Sequence, residues 1–222
     1  MITATYVDHM GSDLSVVNAA RVSFGKNHTE MTEGDTRLIK YLAKYKHTSP
    51  FGHAFASFHV KAPVFVARQL VKHKFLRWNE ISRRYVDDEP EFYQPDVWRG
   101  RSEDAKQGSE GVTYPDPDIV SFYNHTALRS YNELLANGVC PEQARMLLPQ
   151  STMTEWYWSG SLDAFSDMCN LRCKEDTQYE TRLVANKIDE IMLDLYPHSW
   201  QALTKGDTHA TDPRRREHSN QT

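Results

Sequence analysis

An α+β fold is what this sequence predicts, on three observations. Phe51, His53, Phe55, Ser57 and His59 alternate with Ala54, Ala56, Phe58 and Val60, the period-2 pattern of a strand. Val184, Ile188, Ile191 and Leu195 recur at the spacing of one helix face. Strand-like and helix-like segments follow one another without the regular βαβ alternation of a doubly wound sheet.

The elements read in order as follows. Residues 2–7 read as a strand, and Asp35–Tyr45 as a short helix carrying Leu38, Ile39, Leu42 and Tyr45 on one side. The Phe51–Val60 strand comes next. Pro63 stands at a helix start, where its missing N–H costs nothing. That helix is expected to run to about Lys74, with Val64, Phe65, Ala67, Leu70 and Val71 as its apolar residues. Residues 99–117 are polar, with three glycines and two prolines, and read as a long surface loop. Helices are expected at about Asp118–Ala136 and Pro141–Leu148, then a strand over Thr152–Ser159. Ser161 is a good N-cap for a helix over Leu162–Cys173, and a last helix spans about Asp176–Leu195. Residues 1–205 are expected to form a single domain, with 206–222 a disordered tail.

Composition narrows the function classes. Apolar residues make up 39% of the chain and aromatics 11%, enough to build a core. The longest tight apolar run, Ala62–Ala67, is far short of a membrane span, and residues 1–20 hold no secretory pattern. Three cysteines do not make a disulfide framework, so a reducing, cytoplasmic setting is expected. The chain is acidic, with 30 Asp and Glu against 26 Lys and Arg, which weighs against a broad nucleic-acid-binding face. Arg214–Arg216 read as part of a solvated tail.

Against this acidic background, Arg68–Tyr85 is a basic island. It holds Arg68, Lys72, His73, Lys74, Arg77, Arg83 and Arg84 with one acid, Glu80. Like charges held close repel, so folding alone gives no reason for the cluster, whereas an anionic ligand does. On the expected helix, Gln69, Lys72 and His73 fall at i, i+3 and i+4 and share a face. Ser82, Arg83 and Arg84 put a hydroxyl beside two guanidiniums, whose planar forks match phosphate oxygens. The competing reading is a solvated basic helix followed by a turn.

Two further arginines stand in apolar surroundings. Arg172 continues the stripe Leu162, Phe165, Cys169, so an inward guanidinium there meets an anionic ligand, pairs within the chain or snorkels at the helix end. Arg145 lies one turn after Glu142, its nearest candidate partner. His47, His53 and His59 are evenly spaced, but no HExxH or CxxC pattern supports a metal site, and none is expected. Cys169 and Cys173 read as small buried hydrophobes rather than as a metal or redox pair. Neither GxGxxG nor GxxxxGK[ST] occurs, so a nucleotide would be held without those loops.

Together these segments resemble the flavin-dependent thymidylate synthases. KHKFLRWNEIS resembles that family's signature, RHR followed by seven residues and a serine, with His73 central and Ser82 closing it. NAARVSF (18–24), KHTSPFGHAFASFHVKAPVFVARQ (46–69), SRRY (82–85), EFY (91–93), PEQARMLLP (141–149) and NLR (170–172) look like family landmarks in family order. The resemblance covers about residues 11–195. It implies a mixed or antiparallel sheet flanked by helices, and a homotetramer whose sites are shared between subunits. The implied reaction is reductive methylation of dUMP to dTMP with FAD, NADPH and methylenetetrahydrofolate.

By the same resemblance, Gln69, Lys72, Glu80, Ser82, Arg83, Arg84, Arg145 and Arg172 would contact dUMP. Ser49, Lys72, His73, Lys74 and Glu80 would contact FAD, and His47 would lie near the folate. Arg172 would be catalytic, polarising the uracil ring. The chain departs from the family in two places. Lys72 and Lys74 replace arginines, and Ser161 and Asp167 stand where FAD-contacting asparagines are usual. Some relatives hydroxymethylate dUMP with the same cofactors, so a hydroxymethylase is the alternative on this scaffold. A non-catalytic nucleotide- or RNA-binding relative is the alternative from another class.

Overall fold

A computed structural model of the chain describes residues 1–86, 88–103 and 108–205. The expected tail lies outside the described residues, as do residues 104–107 of the 99–117 segment. In chain order the elements are β1 (Thr3–Met10), α1 (Asp13–Arg21), α2 (Glu33–Lys44), β2 (Phe55–Pro63), α3 (Val64–Leu70), β3 (Arg77–Glu80), β4 (Trp98–Arg101), β5 (Ser109–Thr113), α4 (Pro117–Ala136), α5 (Pro141–Ala144), β6 (Met153–Ser161), α6 (Leu162–Arg172), α7 (Tyr179–Leu195) and α8 (Pro197–Thr204). Short 3-10 turns lie at Val22–Phe24, Ser49–His53 and Arg145–Leu147.

The fold is α+β, as expected. Four strands form one sheet in the order β1-β2-β6-β3, every neighbouring pair antiparallel. Alternation along β2 and β6 gives the sheet two unlike faces. Ala56, Phe58 and Val60 are buried on one face, opposite Gly160, Trp158 and Trp156. Phe165 of α6 packs edge-on against both Phe58 and Trp158, with ring centroids 5.2 and 5.4 Å apart. Burying a phenylalanine of this kind stabilises by roughly 1.5–3 kcal/mol. The other face carries Ser57, His59 and Lys61 beside Ser159, Tyr157 and Glu155, and stays partly open.

α7 buries Thr181, Val184, Ala185, Ile188 and Met192, with the expected Ile191 and Leu195 partly buried and packed against the same core. Two departures from the sequence reading shape the site. Phe51 and His53 lie in a 3-10 turn with Pro50 buried, and the strand starts only at Phe55. α3 stops at Leu70 instead of reaching Lys74. The chain turns back at once because Phe75 adopts φ +65°, the left-handed region a bulky residue rarely enters. The turn lets β3 pair with β6, Arg77 opposite Ser159. Gly160 makes room for it: a Cβ there would meet Leu76 Cδ2 at 2.4 Å.

The 99–117 segment is not loop throughout, since β4 and β5 pair as an antiparallel ribbon. Arg99 ties the ribbon to α7, pairing with Glu180 at 2.5 Å and lying over the Tyr179 ring at 4.4 Å. Tyr93 also donates to the buried Glu180. Burial first, then the Glu180 charge, pushes its phenol up to about 12. No helix among the described residues is long and apolar enough to cross a membrane.

Candidate active site

Arg172 ends α6 half-buried, where the stripe Leu162, Phe165, Cys169 points into the core. Among the described residues it makes no ion pair. Instead its Nε donates to His73 Nε2 at 3.0 Å. An imidazole nitrogen accepts only when it carries no proton, so His73 is neutral with its hydrogen on Nδ1. Burial, then the Arg172 charge, lowers the His73 pKa from 6.5 to about 4. Burial also lowers Arg172 from its usual range, but a guanidinium starts so high that it keeps its charge. The Nε contact leaves the two terminal amino groups of Arg172 for a ligand.

This arrangement predicts a titration. Between about 6.5 and about 4 the unfolded imidazole binds a proton that the folded one refuses. Its contribution is therefore fully present above 6.5 and is lost as pH falls toward 4. NMR titration of the His73 ring should give a midpoint near 4, rising when Arg172 is replaced. A midpoint unchanged by Arg172→Ala would show that the two side chains are not in contact in solution.

The other members of the basic island fall into two places. Glu80, Arg83 and Arg145 line one pocket of about 250 Å³, floored by Ile81, Leu148 and Thr154. Both Glu80 oxygens are held, Oε1 by Thr154 Oγ at 2.6 Å and Oε2 by Trp78 Nε1 at 3.0 Å. Trp78 is itself stacked on Trp156 at 4.2 Å, so the carboxylate is fixed by the sheet. Arg83 donates one terminal amino group to the Asp88 carbonyl, while its Nε is buried without a partner. Arg145 bonds the Glu142 main-chain oxygen at 3.2 Å, not the carboxylate expected as its partner. Ser82 and Arg84 meet in the same turn, Arg84 Nε to Ser82 Oγ at 3.3 Å, with Arg84 exposed. Two cations, a fixed acid and an orphan guanidinium nitrogen suit an anionic, hydrogen-bonding ligand.

The expected face of Gln69, Lys72 and His73 does not form, because only Gln69 is on α3. Gln69 Nε2 donates to Gln178 Oε1 at 3.3 Å, and its own Oε1 is buried and unbonded. Lys72 and Lys74 are exposed on the turn. That turn crosses Gly160, one residue from Ser161 at the start of α6. The Ser49–His53 turn packs on α6 as well. The lysine turn thus passes beside Ser161, the N-cap residue of α6, while Asp167 lies in the middle of that helix. Asp167 is exposed, yet partial burial and then Asp163 raise its carboxyl, with Lys46 opposing. A raised carboxyl is easier to place beside flavin phosphates than a plain acid. Ser49, Lys72 and Lys74 are exposed, whereas Ser161 is buried and its hydroxyl donates to Asp163 Oδ1 at 2.5 Å. His47 stacks edge-on with Tyr41 at 5.9 Å on the adjoining segment.

Gln178, Trp78, Thr154 and Gly160 escaped the sequence reading. Each acts by touching a segment distant in the chain, which leaves no local signal. Among the described residues, no group of three His, Cys, Asp or Glu side chains is placed to hold a metal.

Known proteins match this chain almost end to end. The family model described as thymidylate synthase complementing protein matches residues 5–198. A flavin-dependent thymidylate synthase of Thermus thermophilus is 40% identical over 198 residues, 88% of this chain and 73% of the relative. One from Thermosipho africanus is 37% identical over 204 residues, 90% and 89% of the two chains. A crystal structure of a UMP/dUMP methylase, PolB of Streptomyces cacaoi, bound with 5-Br dUMP, superposes with a TM-score of 0.85 at 30% identity. It covers 94% of this chain and 97% of that one.

Proposed function

The chain belongs to the family of flavin-dependent thymidylate synthases, and we propose that it converts dUMP to dTMP by reductive methylation with methylenetetrahydrofolate and NADPH. It is a flavoprotein methyltransferase of dTMP biosynthesis. The carrying observation is the match over nearly the whole chain, at 40% identity, to an enzyme of that name.

The residues suit the chemistry. Uracil C5 is a weak nucleophile until negative charge can build on the ring. Arg172, charged and half-buried, stabilises that charge where it develops. Neutral His73 orients the guanidinium through Nε and adds no competing positive charge. Arg83 and Arg145, which line the pocket with Glu80, grip the dUMP phosphate, aided by the neighbouring Ser82 and Arg84. Gln69 offers an amide to the pyrimidine edge, and Glu80, held on both oxygens, accepts from a ligand hydroxyl or N–H. Ser49, Lys72, His73, Lys74, Ser161 and Asp167 would hold FAD, which, once reduced by NADPH, would supply the electrons of the reductive step. His47 faces the folate. The sites are completed between subunits of a homotetramer, which accounts for exposed residues such as Phe75, 81% accessible in the single chain.

Purified protein supplied with FAD, NADPH, dUMP and methylenetetrahydrofolate should release dTMP, identified by mass. 5-Hydroxymethyl-dUMP as the product, or no conversion of dUMP, overturns the proposal.

A further inference from the structure

The sequence reads Cys169 and Cys173 as buried hydrophobes, and the structure separates them. Cys169 is 2% exposed, inside the core. Cys173, the residue that caps α6, is half-buried and open to a cavity of about 230 Å³. Both cysteines line that cavity, together with Lys174, Asp189 and Lys205. The Cys169 thiol donates to the Ala185 carbonyl oxygen at 3.7 Å. Asp189 is engaged by Trp200 Nε1 at 2.7 Å, so its charge is partly spent within the fold.

We propose that Cys173 and Cys169 form a thiol–disulfide exchange site, in which Cys173 accepts a mixed disulfide from an anionic low-molecular-weight disulfide and Cys169 resolves it. The Cys173 thiolate attacks one sulfur of the incoming disulfide. A Cys173–S–S–R bond forms, the R–S–S–R bond breaks, and RS⁻ leaves. As the last turn of α6 loosens, Cys169 attacks the Cys173 sulfur, its proton passes to the expelled thiolate, the Cys169–Cys173 bond forms and the second R group leaves as RSH. The protein dithiol loses two electrons and the small disulfide gains them. Lys174 and Lys205 supply the charge that favours a carboxylate-bearing reagent. The neighbouring Cys169 thiol lowers Cys173 from its usual range against burial and Asp189, and burial raises Cys169. Cys173 opens to the cavity and Cys169 is buried behind it, which makes Cys173 the attacker and Cys169 the resolver.

The geometry links the site to Arg172. Side chains one turn apart on a regular helix have Cβ atoms about 5–6 Å apart, wider than the roughly 3.5–4.5 Å of a disulfide. Closing the bond must unwind the last turn of α6, which carries Arg172 between the two cysteines.

The test uses the full chain with Cys140→Ser, since Cys140 is exposed and would react with any reagent. It is incubated with glutathione disulfide and followed by intact mass and peptide mapping. Expected is a transient glutathione adduct on Cys173, then an adduct-free protein two hydrogens lighter with 169 and 173 linked. Adding Cys169→Ser should stop the reaction at the adduct. No adduct on Cys173, under conditions that modify the unfolded protein, overturns the proposal. So does an adduct that persists with Cys169 intact. Because mass is the readout, the result stands apart from whether dTMP is made. If the link forms, turnover should fall with it and return on reduction.

Discussion

Arg172→Ala should lower turnover of dUMP about 10²–10³-fold, the loss typical when one donor to a developing negative charge is removed. Flavin uptake should change far less. Arg172 contacts His73 through Nε alone and forms no ion pair among the described residues, so its charge is not consumed in holding the fold. Truncation removes the charge facing the ring, while the lysine turn and Ser161 keep their places. Flavin absorbance on titration with FAD, set beside single-turnover formation of dTMP, separates the two effects. Equal loss of flavin binding and turnover would show that Arg172 is structural. Arg172→Lys should recover little, because the ammonium loses the planar fork that reaches His73 and the ring together.

Asp35→Ala should cost about 3–5 kcal/mol of stability, the range for breaking a buried, hydrogen-bonded charge pair. Asp35 is fully buried and gathers three segments. Arg21, at the end of α1, gives its Nε at 3.0 Å and a terminal amino group at 2.7 Å. His28 Nδ1 lies 2.9 Å away, and Thr32 donates its main-chain N–H and its hydroxyl at the start of α2. Burial alone would raise this carboxyl, but the bonds from Thr32, His28 and Arg21 outweigh it and hold the group well below the carboxylate range. Removing it leaves the Arg21 charge part-buried and takes away the Asp35 half of the α2 capping box, while Thr32 still caps the helix. For a chain of this size the melting temperature should drop by roughly 6–20 °C. The pH dependence has a definite sign. A depressed carboxyl contributes stability that is present above its unfolded pKa, about 3.9, and is lost as pH falls below it. Asp35→Ala should therefore flatten the acid limb of a denaturation profile. A variant with wild-type stability at pH 7 would show that the network contributes nothing net.

The strongest readings from sequence were those with a local cause. The alternation through Ala56, Phe58 and Val60 placed a core strand because strand period acts within a few residues, and Ser161 stands at the start of α6 as read, although its hydroxyl donates to Asp163 instead of capping the helix. α3 was read too long because nothing in VKHKF announces a left-handed phenylalanine. That conformation is imposed by β3 pairing with β6 over Gly160. The ribbon inside 99–117 was read as loop because its polar strands bury little; Arg99 on Glu180 and Tyr179 holds it down. The Asp35 network was invisible for the same reason, its donors being spread from Arg21 to Thr32.

The basic island, the strand and helix periods and the family landmarks are properties of neighbours along the chain, and the sequence alone determined them. Charge in Arg68–Tyr85 pointed to an anion before any fold was known. Which groups face one another was decided only by tertiary structure. Arg172 and His73 are 99 residues apart, and their contact decides the tautomer of one and the orientation of the other. Glu80 is fixed by Thr154 because β3 lies beside β6, and Arg83 and Arg145, 62 residues apart, line one pocket. Spacing determines which face of an element a side chain takes, while packing determines what that face meets.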